Sequence, residues 1–326
     1  MQEQMEPSLA TMHASIGLGL LRATESAALA SARGLGRADA DRVRDVAATA
    51  MLEALEDLDV AAHIALGPRD NQILSRGTMV GSGRCRVDLA AYPVEGASLV
   101  ARGLPGAISV VVAVEPGTFP RLPAVWYMDS IVTGPAARGA IDLDDQLADN
   151  LRRIAFARDV RPSDLTVAML DRPRHRDLIQ EVRSAGSRVL LLEEGEIAGA
   201  LLAASDGTGV DAMVGIGGLQ ETLITACAVR CLGGELQARL WPRNDEEREL
   251  AADRLGTIFS VDELAPGVVD GAVTGISSVA GITGTLLDAA WYGASWYETS
   301  SVLFATESGS VRQVRTRHRR PAEHAR

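Results

Sequence analysis

Short apolar runs alternate with helical patterns through the second half of the chain. Strands are predicted at 165–170, 188–192 and 212–216, and helices at 174–185, 197–204 and 221–232. Repeated alternation of strand and helix is typical of a parallel sheet with helices packed on its faces. The sequence therefore predicts a doubly wound α/β arrangement for this half.

The first half is predicted to mix helices with strands. Helices are expected at 15–34, 38–58 and 142–157, and strands at 63–66, 87–91 and 108–114. Asp144 and Asp145 would lie in the first turn of the third helix, where acidic groups complement the helix dipole. A chain of 326 residues has room for two domains. We expect an N-terminal α+β domain at 1–160, a C-terminal α/β domain at 161–318 and a disordered tail at 319–326.

Charge and hydropathy exclude several classes of protein. A net charge of −11 argues against nonspecific nucleic-acid binding, which needs a basic surface. The longest apolar runs are too short for a transmembrane helix, so no membrane partner is expected. The N-terminus carries acidic rather than basic residues and does not match a secretory signal. These features predict a cytoplasmic protein.

The cysteine and lysine counts narrow the chemistry. Cys85, Cys227 and Cys231 do not form a disulfide framework, and the last two are expected to be small buried side chains rather than a metal pair. The chain contains no lysine, which excludes Schiff-base chemistry, covalent pyridoxal phosphate and a Walker A loop. Positive charge in any site must come from arginine, histidine or a metal.

Several motifs occur in a fixed order along the chain. They are Arg22–Ala30 with Gly36–Asp39, Trp126–Asp129 with Gly134-Pro135, Leu170–His175, Gly215–Gly218 with Glu221, and Leu232–Glu235 with Arg239–Arg243. This series resembles the class II fructose-1,6-bisphosphatases of bacteria. The resemblance implies an α/β fold, a layered αβαβα sandwich of the inositol monophosphatase type. It also implies a Mg²⁺-dependent phosphatase acting on a phosphorylated sugar.

The resemblance places a degraded metal site in this chain. The family's loop Asp-Pro-Ile-(Asp/Glu)-Gly-Thr corresponds to 92–97, with Tyr92 at the first acidic position and Ala97 at the threonine. Two further acidic positions fall at Arg44 and Pro68, with Asp45 and Asp70 nearby. The family's acidic ligands are kept at Glu95 and Glu221, and its lysine falls at Ala40.

The positions that bind substrate in the family are better kept. By resemblance they fall at Gly96, Tyr127, Arg174, His175, Glu194, Gly195, Glu196 and Gly217. The family's Asp-Gly-Asp turn has become Glu194-Gly195-Glu196, which keeps the charge on longer side chains. Arg174 and His175 lie where a strand meets a helix, and free N–H groups at a helix start favour an anion.

These substitutions predict altered chemistry. Glu95 and Glu221 supply few ligands for Mg²⁺ or Mn²⁺, and Arg44 would repel a divalent ion. The sequence therefore gives weak support to a bound Mg²⁺ or Mn²⁺ and indicates no other cofactor. Arg44 can instead bind phosphate directly, assisted by Arg69. Tyr92 and Glu95 would then act as acid and base in proton abstraction or dehydration. In the alternative interpretations Tyr92 fills the space left by the metals and Arg44 is a solvated helix charge.

Three functions remain open from the sequence. The first is an enzyme with reassigned chemistry on a phosphorylated sugar. The second is a conventional phosphatase with substitute ligands such as Asp45, Asp70 or Asp88. The third is a catalytically silent sugar-phosphate-binding partner of an active paralogue. The family's homo-oligomers imply a dimer or tetramer, or a mixed assembly with such a paralogue.

Overall fold

The computed structural model describes residues 9–68, 72–83, 86–293, 295–306 and 308–319. Its helices are α1 (Leu9–Ala32), α2 (Ala40–Glu56), α3 (Ala97–Arg102), α4 (Leu147–Ala157), α5 (Arg176–Ser184), α6 (Glu196–Ala204), α7 (Leu219–Cys231), α8 (Asp245–Leu250) and α9 (Val261–Leu264). Its first eight strands are β1 (Ala61–Leu66), β2 (Met79–Val80), β3 (Arg86–Glu95), β4 (Ile108–Val114), β5 (Tyr127–Thr133), β6 (Thr166–Leu170), β7 (Arg188–Leu192) and β8 (Ala212–Gly218). The remaining strands are β9 (Glu235–Trp241), β10 (Phe259–Ser260), β11 (Val268–Gly275), β12 (Val279–Ala280), β13 (Thr285–Leu287), β14 (Trp291–Tyr292), β15 (Trp296–Ala305) and β16 (Ser310–Arg319).

Two large sheets organise the molecule. The first has the order β14-β15-β11-β4-β3-β1-β2, with β16 paired to β15, and the second has the order β10-β9-β5-β8-β6-β7. Both sheets are mixed. The pairs β1–β3, β6–β7 and β6–β8 are parallel, whereas β5 pairs antiparallel with both β8 and β9. The predicted parallel strands are therefore present, but they form one side of a mixed sheet.

Helices cover the sheets in layers. α1 and α2 pack on each other, and α1 packs on the first sheet, while α6 and α7 lie between the two sheets. α4 and α5 cover the remaining face of the second sheet, over a core cluster that includes Ile131, Leu151 and Val167. One apolar cluster fills both interfaces of the central helices with the two sheets, and each of the other two fills the interface between an outer helical layer and a sheet. This is the αβαβα sandwich that the sequence resemblance implied.

The predicted boundary near residue 160 does not follow the sheets. β5 lies in the second sheet although it precedes that boundary, and β11, β15 and β16 lie in the first sheet although they follow it. The chain passes from the first sheet to the second between β4 and β5, and it returns between β10 and β11. β11 then pairs with β4, which is far from it in the sequence. β16 extends to Arg319, the first residue of the predicted tail, and residues 320–326 lie outside the described part.

The predicted start of the 142–157 helix is wrong. α4 begins at Leu147, and Asp149, rather than Asp144 or Asp145, lies in its first turn. The preceding turn is held by the Asn150 side chain, which accepts a hydrogen bond from the Asp142 N–H at 2.7 Å and donates to the Asp142 carbonyl at 2.8 Å. A side chain that bonds backbone groups in this way competes with helix extension.

Two further sequence expectations can be compared with the structure. Cys227 and Cys231 are free and buried, as expected, whereas Cys85 lies outside the described residues. Within the described residues, no helix combines the length and hydropathy needed to cross a bilayer.

Candidate active site

A cleft of about 790 Å³ lies at the end of β3, beside the starts of α2 and α7. It collects side chains from segments far apart in the sequence. The lining residues are Asp41, Arg44, Asp45, Pro68, Tyr92, Pro93, Val94, Gly96, Ala97, Trp126, Tyr127, Glu194, Gly218, Gln220 and Glu221. The structure thus brings Arg44, Pro68, Tyr92 and Glu221 to one cavity.

The carboxyl end of β3 carries the two predicted catalytic residues. The register with β4 shifts between Tyr92 and Glu95, so the strand bulges at Pro93-Val94. Proline has no N–H to donate to the ladder and is tolerated at such a bulge. Gly96 follows with a left-handed backbone, φ +83°, and begins α3. The strand therefore ends in a turn that points Tyr92 and Glu95 to different surroundings.

The Tyr92 hydroxyl donates a hydrogen bond to Glu221 Oε1 at 2.9 Å. Burial, and then the nearby carboxylates of Glu221 and Glu95, raise the pKa of Tyr92 above its ordinary value. The phenol is therefore neutral at physiological pH and acts as a donor rather than as a base. This bond occupies one oxygen of a carboxylate that the resemblance assigned to metal.

Glu95 lies beneath the cleft with 6% of its surface exposed. Its carboxylate accepts hydrogen bonds from the N–H groups of Ile197 at 2.8 Å and Ala198 at 3.0 Å. These are free donors in the first turn of α6, so Glu95 caps that helix from another segment. Burial raises the pKa of Glu95 to about 7, although the two N–H bonds oppose the shift.

Glu196 is half-buried on the other side of the same helix start. Its carboxylate accepts from Gly218 N at 2.8 Å and from the Thr222 hydroxyl at 3.2 Å. Burial, and next the charge of Glu221, raise its pKa well above the ordinary value. A Cβ at Gly217 would overlap this carboxyl group, so the close contact requires glycine. Glu196 and Gly217 therefore line a separate small cavity behind the cleft.

The predicted turn 194–196 divides its residues between surface and interior. Glu194 lines the cleft and accepts a hydrogen bond from the Ser98 hydroxyl. Gly195 has a left-handed backbone, φ +99°, and precedes α6. Glu194 is thus the member of this turn that can meet a ligand in the cleft.

Arg44 reaches the cleft from α2. Its guanidinium pairs with Asp41, one turn earlier, and 46% of its side chain is exposed. Asp45 also lines the cleft, whereas Asp88 accepts from Gly117 N at 2.8 Å and lies 3.3 Å from His63 Nδ1. Arg69 and Asp70 lie outside the described residues.

Trp126 and Tyr127 line one wall of the cleft, and two arginines stack on these rings. The Arg174 guanidinium lies 4.8 Å from the centre of the Tyr127 ring and donates to the Ile216 carbonyl at 2.7 Å and 3.1 Å. Arg243 lies 4.6 Å from the Trp126 ring centre and 5.9 Å from that of Tyr127. Arg243 also donates to Glu247 at 2.7 Å, and Arg174 uses two N–H groups on the Ile216 carbonyl, so only part of each guanidinium group keeps free donors. Trp126 and Arg243 belonged to quoted motifs but were not predicted as site residues.

His175 does not line the cleft. Its side chain is buried, with Nδ1 2.8 Å from the Leu170 carbonyl oxygen and Nε2 accepting from Ile216 N at 2.8 Å. Burial lowers the pKa of His175 and keeps the imidazole neutral. The structure places His175 as a brace between the end of β6 and β8, rather than at a surface that substrate can reach.

The chain is similar to known proteins along nearly its whole length. Residues 14–318 match the family model described as bacterial fructose-1,6-bisphosphatase, glpX-encoded. The chain belongs to this family. A D-fructose 1,6-bisphosphatase class 2/sedoheptulose 1,7-bisphosphatase of Synechocystis is 32% identical over 340 residues, covering 94% of this chain and 97% of the relative. A protein of the same description from Synechococcus strain JA-2-3B'a(2-13) is 34% identical over 348 residues, covering 97% and 99%.

The metal ions of glpX-type phosphatases do not fit the donors present here. Glu95 uses both oxygens on backbone N–H groups, Glu196 is likewise occupied, and Glu221 accepts from Tyr92. In the described part of the chain, no three His, Cys, Asp or Glu side chains are grouped to hold an ion. Mg²⁺ requires near-octahedral oxygen ligands, and the described residues of the cleft do not group them.

One residue of the cleft could have been found from its neighbours. Gly218 lines the cleft, while the predicted Gly217 faces the interior. The two alternate because successive residues of a strand point to opposite faces. The predicted strand ended at residue 216. Extending it to Gly218, where β8 ends, would have indicated which of the two glycines faces the cleft.

Proposed function

We propose that this member of the glpX-type family binds a phosphorylated sugar without a metal ion and does not hydrolyse it by the metal-dependent reaction. The relatives' descriptions name fructose 1,6-bisphosphate and sedoheptulose 1,7-bisphosphate phosphatases. Sugar bisphosphates of that class are the ligands we assign to the cleft. A volume of about 790 Å³ lies within the range of small-molecule sites.

The hydrogen bond between Tyr92 and Glu221 carries this proposal. It joins the two positions at which the family's ligands would face the metal, at an oxygen–oxygen distance of 2.9 Å. An ion would have to displace a phenol whose raised pKa keeps its proton. The bond therefore supports a closed carboxylate cluster rather than an ion site.

The arginines supply the positive charge that binding requires. Arg44 lines the cleft, and Arg174 and Arg243 stack on Tyr127, which also lines it. A guanidinium group can bind phosphate oxygens in bidentate fashion, so Arg44 suits one phosphate of the sugar. Glu194, in the same lining, can accept hydrogen bonds from sugar hydroxyls.

Titration calorimetry in EDTA tests the binding. Fructose 1,6-bisphosphate and sedoheptulose 1,7-bisphosphate should bind saturably, and Arg44→Ala should weaken binding about tenfold, the loss expected for one charge-assisted contact. A matched control is Arg152→Ala, an exposed arginine on α4 that pairs with an aspartate three residues away. Binding that requires Mg²⁺ or Mn²⁺ would contradict the proposal.

A phosphate-release assay tests the missing hydrolysis. With Mg²⁺ or Mn²⁺ the wild-type protein should release no phosphate above background. Restoring Arg44→Asp, Pro68→Glu, Tyr92→Asp and Ala97→Thr together should permit metal binding. Metal-dependent release by the wild type, lost in Asp45→Asn, would instead favour a phosphatase with substitute ligands, because Asp45 lines the cleft.

A second candidate is acid–base chemistry on the bound sugar, with Glu95 as the base. The observation that favours it is the pKa of about 7 for Glu95, near the value a general base needs. Both Glu95 oxygens accept backbone hydrogen bonds, so the base would have to leave α6 to act. Exchange of carbon-bound hydrogen for deuterium in the bound sugar, followed by NMR and lost in Glu95→Gln, would support this candidate. If no exchange occurs, binding of the sugar phosphate remains as the proposed function, which is also what a catalytically silent partner of a paralogue would do.

A further inference from the structure

Three arginines line a second cavity, which we name the arginine cavity. Its volume is about 530 Å³, and Arg33, Arg37 and Arg42 face it together with Asp39. The Asp39 carboxylate already caps α2, accepting from Arg42 N at 2.9 Å. The cavity therefore carries an excess of positive charge in a chain whose net charge is −11.

The arginine cavity is separate from the cleft although α2 lines both. Arg44 and Asp45 face the cleft, whereas Arg42 and Val46 face the arginine cavity. Arg42 and Asp45 are three residues apart and lie on neighbouring faces of the helix, about 60° from each other. The two cavities nevertheless have no lining residue in common, and Tyr92 and Glu221 line only the cleft.

The three guanidinium groups of the arginine cavity form no ion pairs with described carboxylates. Arg44 pairs with Asp41 on the same helix, but Arg33, Arg37 and Arg42 make no ion pair with a carboxylate of the described residues. Arg33 instead lies 5.7 Å from the centre of the Tyr292 ring, whose hydroxyl donates to a carbonyl of α1. Stacking on an aromatic ring fixes a guanidinium while leaving its N–H donors free.

The loop that carries Arg37 is anchored on both sides of it. Gly36 N donates to the Val100 carbonyl at 2.9 Å, and Ala38 N donates to the Ala101 carbonyl at 2.8 Å. These bonds fix the loop between α1 and α2 against α3. An anchored backbone reduces the entropy lost when a side chain becomes ordered around a ligand.

We propose that the arginine cavity binds the dianionic phosphoryl group of a phosphate monoester. The planar N–H pairs of the three arginines match the geometry of phosphate oxygens, and their positive charge favours a dianion over an uncharged ligand. The cavity is several times larger than one phosphate group, so an organic portion also has room beside Val43 and Val46. The site is independent of the cleft and of the function proposed for it.

Calorimetry with the full-length protein in EDTA tests this site, with glycerol 3-phosphate as the probe and glycerol as the uncharged control. The double variant Arg37→Ala/Arg42→Ala should bind the probe at least tenfold more weakly than the wild type. Arg121→Ala/Arg183→Ala is the matched control, since it removes the same charge from exposed arginines that line neither cavity. Tyr127→Ala alters the cleft and should leave this binding unchanged. Thermal unfolding of each variant confirms that it is folded.

The outcomes separate the alternatives. Loss in Arg37→Ala/Arg42→Ala alone supports the site, and a parallel titration with inorganic phosphate then distinguishes its two sources. Equal affinity for both probes identifies free phosphate as a sufficient ligand, and tighter binding of glycerol 3-phosphate identifies an organic phosphate. No saturable binding, equal losses in both double variants, or a loss in Tyr127→Ala alone would overturn the proposal.

Discussion

At position 92 a phenol stands where the family resemblance places an acidic metal ligand. Its hydroxyl binds Glu221 at 2.9 Å, so two residues 129 positions apart become one contact. Beneath it, Glu95 bonds α6 rather than the cleft. These hydrogen bonds join residues that are more than 100 positions apart, and the sequence alone does not show which distant residues meet. The consequence is that Glu95, an acidic residue kept from the family, serves the interior of this protein.

Tyr92→Phe should destabilise the protein by about 1–2 kcal/mol, because it removes a hydrogen bond to a charged group. Urea unfolding measures the change. Glu221→Gln and the double variant complete a thermodynamic cycle, in which the two effects should be less than additive. Fully additive effects would show that the hydroxyl and the carboxylate do not interact.

The Glu95 pKa predicts how stability depends on pH. Its value of about 7 in the folded protein lies above the ordinary 4.5, so the folded state holds the proton more tightly. The stabilising contribution is complete below about pH 4.5 and is lost as pH rises to about 7, on the order of 3 kcal/mol. Glu196 acts in the same direction.

Urea denaturation of wild type and Glu95→Gln at pH 5, 6, 7 and 8 measures this effect. The amide of the variant cannot titrate, so the variant should lose stability less steeply with rising pH than the wild type does. Its absolute stability will also be lower, since an amide cannot accept both N–H bonds of α6. Parallel pH profiles for the two proteins would contradict the raised pKa.

Elements were predicted well where local pattern decides them. β4 and β7 have the predicted bounds, and α6 and α7 differ from prediction by one or two residues. β5 and β9 were not predicted, although the residues of β9 alternate between buried and half-buried; β5 pairs with both β8 and β9 in the second sheet. β16 was not predicted as a strand, yet ten of its residues pair with β15, and its last residue, Arg319, is the first residue of the predicted tail.

The contact between β8 and α6 makes a prediction at this scale. Gly217→Ala would place a Cβ against the Glu196 carboxyl group and should cost about 1–3 kcal/mol of stability through overpacking. Chemical denaturation measures it. In a Glu196→Ala background the same substitution should cost much less, because the clashing group is gone. An equal cost in both backgrounds would place the strain elsewhere.

The whole molecule is a five-layer sandwich in which one cleft gathers residues from both halves of the chain. α6 and α7 lie between the sheets, and their first turns carry Glu196 and Glu221 towards β3. The geometry of the site therefore depends on the packing of the layers, and a substitution in the cleft is expected to change the stability of the whole fold. Ligand binding is expected to raise the stability of the entire molecule.

Thermal unfolding with and without metal tests the site at this scale. Addition of 1 mM Mn²⁺ to protein stripped with EDTA should leave the Tm unchanged within about 1 °C, whereas an ion bound one hundredfold above its Kd would add about 2.7 kcal/mol. The variant with the four restored family residues provides the comparison. A rise of several degrees in the wild type would show a metal site in this chain.

Motif order and hydrophobic patterns indicated the family and the layered α/β fold, because both are properties of neighbouring residues. That Arg44, Tyr92 and Glu221 belong to one site was implied by the family resemblance alone, and the tertiary structure places all three in the lining of the cleft. Tertiary structure alone decided that Glu95 caps α6, that His175 is enclosed between β6 and β8, and that the sheets do not divide at residue 160. The physical reason is that hydrogen-bond partners and burial depend on which distant segments pack together, and local sequence does not contain that information.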